Sequence, residues 1–362
     1  MSLELRPDSG FLDTLFRPGA WASAALLGLT GCGSRNLGPV TPQYDGRQFT
    51  NPGHVKSSSV AGYLWLRVTG AQAPWPDSVA VPPSPPPPAR VDGPPMRVTL
   101  VGHATVLIQV AGLNILTDPV WSERASPLSF VGPKRVTAPG VSLAQLPKID
   151  LVLISHDHYD HLDLPTLRQL DARDQPRVVV PLGNRALVAS AMPASNVTEH
   201  DWGAQVALHG GASVHVEPLL HGSGRTPLDQ MHSLWAAYVI RAGGYTVYHA
   251  GDTGYGDGRL FREAGNKHGG FDLAILPIGA YEPVSFMADS HMSPAEAVKA
   301  KADLRAARAM AHHFGAFQLG FEAFDASRRA LQAALAASQI PPEQFPALEP
   351  GQALVLQAPR SP

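Results

Sequence analysis

Short apolar runs separated by polar turns recur along the chain from about residue 97 onward. Most of these runs are rich in Val, Ile and Leu, which is the pattern of buried β-strands. The predicted strands are Arg97–Gln109, Leu113–Thr117, Ile149–Ser155, Arg177–Pro181, Ala212–Pro218, Trp235–Ile240, Tyr245–Ala250, Phe271–Pro277 and Ala309–His313.

Helices are predicted between several of these strands. Ser293–Glu296 has the form of a capping box with Pro294 at the first helical position, which indicates a helix running into Lys301. Asp163 is a predicted N-cap for another helix, and Ala326–Ala337 is a third. This alternation predicts two sheets with helices outside them.

The N-terminal quarter of the chain differs from the rest. Residues 33–70 have weak periodicity, and Pro82–Pro88 favours polyproline II, which cannot pair as a central strand. We interpret the proline run as a spacer. The chain is therefore predicted to consist of an N-terminal extension over residues 33–95 and a folded domain over residues 96–362.

Residues 1–32 have the features of a secretory signal. Arg17 precedes the apolar stretch Ala20–Leu29, and small residues lead to Cys32, the single cysteine of the chain. The stretch is too short to span a bilayer as a helix. It resembles a bacterial lipoprotein signal, which implies a chain anchored through Cys32 to a bacterial membrane and facing the periplasm. An uncleaved tail on a cytoplasmic protein is the alternative.

Composition narrows the function classes only slightly. The 362 residues are 44% hydrophobic and 16% charged, as in ordinary globular proteins, and they suffice for a sizeable core. A formal net charge of −2 gives no electrostatic argument for nucleic-acid binding. We therefore expect no nucleic-acid partner.

The residues best suited to bind a metal are concentrated in Ile154–Asp163, at the end of a predicted strand. His156, His158 and His161 lie within six residues, in a chain with 15 His among 362 residues. Asp160 adds a carboxylate, and a mixture of imidazole and carboxylate donors suits Zn²⁺, iron or manganese. Ligand-type residues at the carboxyl end of a strand occupy the edge where open α/β sheets place their sites. The stretch predicts a metal site.

Further candidate ligands follow other predicted strands. His221 follows the strand Ala212–Pro218, and Asp252 follows Tyr245–Ala250 within a glycine-rich turn that allows close approach to an ion. His312 and His313 end the last strand, but consecutive side chains face opposite sides, so only one of them can be a ligand. The pattern alone does not distinguish them.

The His156–His161 stretch matches the HxHxDH signature of the metallo-β-lactamase fold superfamily. Within it, the chain resembles the phospholipase D that hydrolyses N-acyl-phosphatidylethanolamine and its bacterial relatives, from about Met96 to Gly351. The matching landmarks are Gly102–Thr105, Thr117–Pro119, Gly132–Arg135, Leu151–Asp163, Gly251–Tyr255, Pro277–Pro283 and His313–Gly315.

The resemblance implies a four-layer αββα sandwich holding two Zn²⁺ per chain. It assigns the seven ligands by position: His156, His158 and His221 to one ion, Asp160, His161 and His313 to the other, and Asp252 to a bridge between them. It thereby selects His313 over His312. His291 matches a family position near the substrate, and Asp118 is expected to orient the ligand loop.

The implied reaction is hydrolysis of a phosphodiester by a metal-bridging hydroxide, with Asp160 and Asp252 in the catalytic centre and with His291 and Arg225 stabilising developing charge. The expected substrate is a phospholipid, cleaved to phosphatidic acid and an N-acylethanolamine. The expected partners are a membrane surface, bound peripherally, and a second copy of the chain in a homodimer. The alternatives are a lactonase or small phosphodiesterase of the same fold, and a non-catalytic metal-binding lipoprotein.

Overall fold

The structure is a computed structural model that describes residues 35–36, 38–53 and 60–360. The predicted signal with Cys32 lies outside these residues. Thirteen strands are present in the described part: β1 Met96–Gly102, β2 Thr105–Val110, β3 Leu113–Thr117, β4 Leu151–Leu153, β5 Arg177–Pro181, β6 Val197–His200, β7 Gln205–Ala207, β8 Ser213–Glu217, β9 Ala237–Ala242, β10 Tyr245–His249, β11 Phe271–Pro277, β12 Ala306–His312 and β13 Ala353–Leu356.

The strands form two mixed sheets. The first has the order β13-β1-β2-β3-β4-β5-β6 and the second the order β12-β11-β10-β9-β8-β7. Their facing sides bury one apolar cluster that includes Val98, Ile115, Tyr238 and Val247. Tyr238 also donates its hydroxyl to the carbonyl of Ile154 in the other sheet, at 2.7 Å. The two sheets therefore share a single core between them.

Seven helices of the described residues accompany the sheets: α1 Val60–Thr69, α2 Leu164–Asp174, α3 Arg185–Val188, α4 Arg259–His268, α5 Val284–Met287, α6 Pro294–Asp303 and α7 Ala326–Ala337. Leu167 and Leu170 of α2 pack on the outer face of the first sheet. Phe261 of α4 and Leu331 of α7 pack on the outer face of the second sheet. This arrangement confirms the predicted αββα sandwich.

Chain direction in the sheets determines where the site forms. β3, β4 and β5 run parallel, as do β10, β11 and β12. β8 has the same direction as β10, because both are antiparallel to β9. The loops after β8, β10 and β12 therefore leave the second sheet at one edge, and the contact between His161 and Asp252 places the loop after β4 at the same edge of the sandwich. These loops carry the candidate ligands.

Local predictions are partly corrected. The predicted strand Arg97–Gln109 is two strands, β1 and β2, because His103 turns the chain with φ of 55°. Asp163 occupies the N-cap position of α2 without a side-chain capping bond. Its carboxylate instead accepts hydrogen bonds from Ser122 and Thr166. Ser293 forms the predicted capping box with Glu296 and begins α6.

The described part of the N-terminal extension contacts the sandwich. Tyr44 and Phe49 are buried in the same apolar cluster as Trp235. Asn51 pairs with the main chain of His221: its Nδ2 donates to the carbonyl at 2.9 Å and its Oδ1 accepts from the amide at 3.1 Å. This segment therefore fixes the position of a candidate ligand. Among the described residues, no helix is both long and apolar enough to cross a membrane.

Candidate metal centre

The loop between β4 and α2 presents four of the seven candidate ligands, and Asp118 holds the start of this loop. The Asp118 carboxylate accepts hydrogen bonds from the amide and the hydroxyl of Ser155, both at 2.7 Å. Its Oδ2 also lies 2.8 Å from Nδ1 of His161. Because Nδ1 of His161 faces a carboxylate, Nε2 is the nitrogen that faces the candidate centre. Asp118 thus has the contact expected of a residue that orients the ligand loop.

His156, His158 and His221 form the first donor group, with ligand atoms within 4.8 Å of one another. Nε2 of His156 lies 2.8 Å and Nε2 of His221 lies 3.2 Å from Nδ1 of His158. Nδ1 of His221 lies 2.8 Å from the carbonyl of Ser290, which can only accept, so this nitrogen donates. Nε2 of His221 consequently keeps its lone pair for a cation.

Asp160, His161 and His313 form the second donor group together with His103, which the sequence analysis left without a role. Oδ2 of Asp160 lies 3.2 Å from Nε2 of His313 and 3.4 Å from Nε2 of His161. All four side chains are buried. The carboxylate of Asp160 with the imidazoles of His161 and His313 is a donor set that suits a divalent transition metal.

Asp252 lies between the two groups. Its Oδ2 is 3.1 Å from Nε2 of His161 and 2.9 Å from Nε2 of His313. The same oxygen is 4.0 Å from Nε2 of His221 in the first group. Its Oδ1 is buried without a hydrogen-bond partner. A buried, unpartnered carboxylate oxygen between two sets of nitrogen donors fits a carboxylate that bridges two cations.

The carboxylates are ionised in spite of their burial. Burial raises the pKa of Asp252, but His161 and His313 lower this pKa by more than burial raises it. The pKa of Asp252 therefore lies well below its usual value. Burial lowers the pKa of His313, yet Asp252 and Asp160 outweigh burial and raise the pKa to about 9. In this structure protons on imidazoles balance the carboxylate charges, and metal cations would take their place.

Two imidazoles of the first group, those of His156 and His221, are neutral. Burial lowers the pKa of His156 and of His221 to well below the usual value, and neighbouring histidines lower it further. Neutral imidazole is the form that binds a metal. These two residues can therefore bind a cation without losing a proton, whereas His313 of the second group must release one.

His291 and Arg225, the two further residues predicted to act in catalysis, have different surroundings. Nδ1 of His291 is 3.8 Å from Oδ2 of Asp252 and has no hydrogen-bond partner. Burial lowers the pKa of His291 to about 4, so its ring is neutral and can bind a substrate oxygen. The guanidinium of Arg225 donates to the carbonyls of Asp157 and Leu162 and lies 3.7 Å from the ring centroid of Tyr159. These contacts hold the ligand loop, and charge stabilisation by Arg225 stays a prediction.

The structure brings all seven predicted ligands together at one edge of the sandwich. His312, the neighbour of His313, points away and is buried beside His249, with ring centroids 5.2 Å apart. Sequence reasoning missed the contacts of His103 and Asn51 with ligands. For His103 one signal was present, because a histidine interrupts an otherwise apolar run between Arg97 and Gln109.

Comparisons with known proteins agree with the fold and the site. Residues 113–314 match the family described as "Beta-lactamase superfamily domain", so the chain belongs to this family and has the metallo-β-lactamase fold. In structure, it is similar to an isothiocyanate hydrolase from Delia radicum gut bacteria, with a TM-score of 0.56 and 18% identity over 72% of this chain and 98% of that chain.

Two relatives found by sequence share a higher identity with the chain than this structural neighbour does. The chain is 38% identical to N-acyl-phosphatidylethanolamine-hydrolyzing phospholipase D 1 of Caenorhabditis elegans, over 61% of this chain and 64% of that protein. It is 41% identical to an uncharacterized protein of Mycobacterium tuberculosis, over 64% of this chain and 61% of that protein. The chain thus spans about three fifths of the length of these curated relatives.

Proposed function

We propose that the protein is a zinc-dependent phosphodiesterase of the phospholipase D type, acting on a phospholipid similar to N-acyl-phosphatidylethanolamine. The observation that carries the proposal is the convergence of seven candidate ligands on two adjacent donor groups joined by Asp252. The similarity to the phospholipase D of Caenorhabditis elegans supports the choice of reaction. The predicted products are phosphatidic acid and an N-acylethanolamine.

The donor set supports two Zn²⁺ ions per chain. His156, His158 and His221 would hold one ion, and Asp160, His161 and His313 the other, with Asp252 between them. A zinc pair supplies Lewis-acid stabilisation of phosphate oxygens and lowers the pKa of bound water to about 7. Bound iron or manganese is the alternative that metal analysis would reveal.

Other residues of the chain orient the candidate ligands or face the substrate. Asp118 orients the ring of His161 through its Nδ1, and the Ser290 carbonyl orients the ring of His221 through its Nδ1. His291 is 14% exposed at the side chain and lies beside Asp252, so its neutral ring can donate to, or accept from, an oxygen of the substrate. Arg225 keeps the turn from Asp157 to Leu162 in place.

Exposed apolar side chains in three loops, together called the apolar rim, support the proposal of a lipid substrate. Phe130 in the loop after β3 is 76% exposed, Leu228 in the loop after β8 is 72% exposed, and Val284 after β11 is 46% exposed. These loops leave the sheets at the edge that carries the ligands. Exposed apolar side chains on one side of a protein are typical of surfaces that contact a membrane. We therefore propose peripheral binding to a lipid surface by this edge.

Anchoring through Cys32 belongs to the same proposal. A lipid on Cys32 would keep the protein at a bacterial membrane on the periplasmic side, near its substrate. Cys32→Ser should release the full chain from the membrane fraction. Unchanged fractionation of this variant would contradict the anchor while leaving the hydrolase proposal in place.

The test of the proposed function is head-group release by the full, zinc-loaded chain in detergent. The panel contains N-acyl-phosphatidylethanolamine, phosphatidylethanolamine and phosphatidylcholine, together with a lactone and a small phosphodiester. We expect at least one phospholipid to yield phosphatidic acid, and we expect a chelator to abolish this release. Turnover of the lactone or the small phosphodiester alone would contradict the lipid assignment. Absence of turnover with every substrate would contradict a hydrolase function.

The apolar rim has a test of its own. The double variant Phe130→Ser with Leu228→Ser should sediment less with liposomes while it still cleaves a soluble, short-chain phosphodiester. Val355→Ser is the control, because Val355 is exposed on β13 at the far end of the first sheet. Equal sedimentation of the double variant and the control would contradict membrane binding by this edge.

A further inference from the structure

His103 lies at the turn between β1 and β2, beside the second donor group. It connects β1 to β2 in the left-handed region, with φ of 55°, which residues other than glycine adopt rarely. The residue is 3% exposed, although histidine is polar. A strained backbone together with a buried polar side chain indicates that the surroundings require this residue in this conformation.

The side chain of His103 contacts one ligand of the second group. Its Nε2 lies 2.9 Å from Oδ2 of Asp160. A carboxylate can only accept, so His103 supplies an N–H donor at this position. His161 and His313 also contact Asp252, the carboxylate between the two groups, whereas His103 contacts Asp160 alone among the candidate carboxylates. This difference in geometry makes His103 a support of Asp160 rather than an eighth ligand.

The main chain of His103 contacts a second ligand of the same group. Its carbonyl accepts a hydrogen bond from the amide of His313 at 3.0 Å. The rings of His103 and His313 also pack with centroids 4.2 Å apart, and the rings of His103 and Phe317 meet in a T-shaped contact with centroids 5.1 Å apart. One residue thus fixes a ligand from the loop after β4 and a ligand from the end of β12.

We infer that His103 is a positioning residue that holds Asp160 and His313 at the spacing a second metal ion requires. It lies outside residues 113–314, the part of the chain that matches the family. The inference rests on the two-metal centre of the proposed function but is independent of the substrate. Hydrogen-bond partners of metal ligands typically contribute 10- to 100-fold to metal affinity. Loss of the His103 side chain should weaken one of the two metal positions by about this factor.

The discriminating variant is His103→Asn. Asparagine tolerates the left-handed backbone, so the carbonyl bond to His313 should persist, but its side chain is too short to reach Asp160. His103→Gln is the rescue variant, because its amide can place an N–H near the position of Nε2. His200→Asn is the matched control, since His200 lies in β6 and its Nε2 has no hydrogen-bond partner.

The measurement is zinc titration of the full metal-free chain against a chelator of known affinity, which resolves the two binding steps without reference to activity. We expect His103→Asn to weaken one step by about 10- to 100-fold, His103→Gln to recover part of this loss, and the control to match the wild type. Circular dichroism should show the same fold in every variant.

Three results would overturn the inference. Unchanged affinities in His103→Asn would show that Asp160 needs no support. An equal loss in both steps, with a lower melting temperature, would indicate a general structural role. A wild-type chain that binds a single zinc ion would overturn both this inference and the two-metal centre, whereas failure of phospholipid cleavage alone would leave the inference standing.

Discussion

Substitution of Asp252 by asparagine tests the bridge between the two donor groups. The change keeps the shape of the side chain but removes its charge, and an amide N–H₂ can face Nε2 of His161 or of His313. The wild-type carboxylate is 2.9 Å from Nε2 of His313 and 3.1 Å from Nε2 of His161. Both contacts involve a buried charge, so the substitution should affect the site strongly.

The magnitude follows from the loss of a ligand charge. The contacts of Asp252 with Nε2 of His161 and His313 are hydrogen bonds of the metal-free site, so they do not set the zinc affinity. Loss of a hydrogen-bond partner of a metal ligand costs about 10- to 100-fold in metal affinity, and loss of a charged bridging ligand should cost at least about 100-fold. This factor corresponds to about 2.8 kcal/mol, and turnover should fall with the zinc affinity.

The assay is the same chelator titration, followed by phospholipid turnover at fixed free zinc. Asp257→Asn is the control, because Asp257 lies in the same loop but is exposed and caps only the amide of Arg259. Wild-type zinc affinity in Asp252→Asn, with the fold intact by circular dichroism, would refute the bridging role.

Four other predictions concern the support and protonation of the site and the cap of α6. Asn51→Ala should weaken zinc binding by the His156 group about tenfold, because the main chain of His221 loses both bonds; affinities equal to those of wild type in the titration would contradict this. Zinc affinity should rise with pH up to about 9, since zinc must displace the proton of His313; pH-independent binding between pH 7 and 9 would count against it. The same raised pKa stabilises the metal-free fold below pH 6.5, and this stability should be lost as pH rises through about 9, as urea unfolding at several pH values can show. Ser293→Ala should lower the free energy of unfolding by about 0.5–2 kcal/mol through loss of the α6 cap, with Ser293→Thr nearly neutral; equal urea midpoints for Ser293→Ala and wild type would exclude this contribution.

The sequence predicted the site well because its ligands follow strand ends. Val and Ile runs are visible as strands, and polar residues directly after them at one edge are visible as candidates. This pattern alone identifies Asp252 and His221 as candidate ligands. The choice between His312 and His313 needed the resemblance, because an alternating pattern does not say which face of β12 meets the site.

Contacts between distant segments were not predictable from pattern. Asn51 lies 170 residues from His221, and nothing in the local sequence indicates that its amide pairs with that main chain. His103 was hidden inside an apolar run that reads as one continuous strand, because a positive φ leaves no periodic signal. The capping bond predicted for Asp163 is absent for a related reason: its carboxylate accepts hydrogen bonds from Ser122 and Thr166 instead.

The most direct test of a two-metal phosphodiesterase is phosphatidic acid release from N-acyl-phosphatidylethanolamine while zinc is titrated into the metal-free, full-length chain. The rate should rise with added zinc and reach its plateau at two equivalents per chain. A plateau at one equivalent, or no release at any zinc concentration, would contradict a two-metal phosphodiesterase.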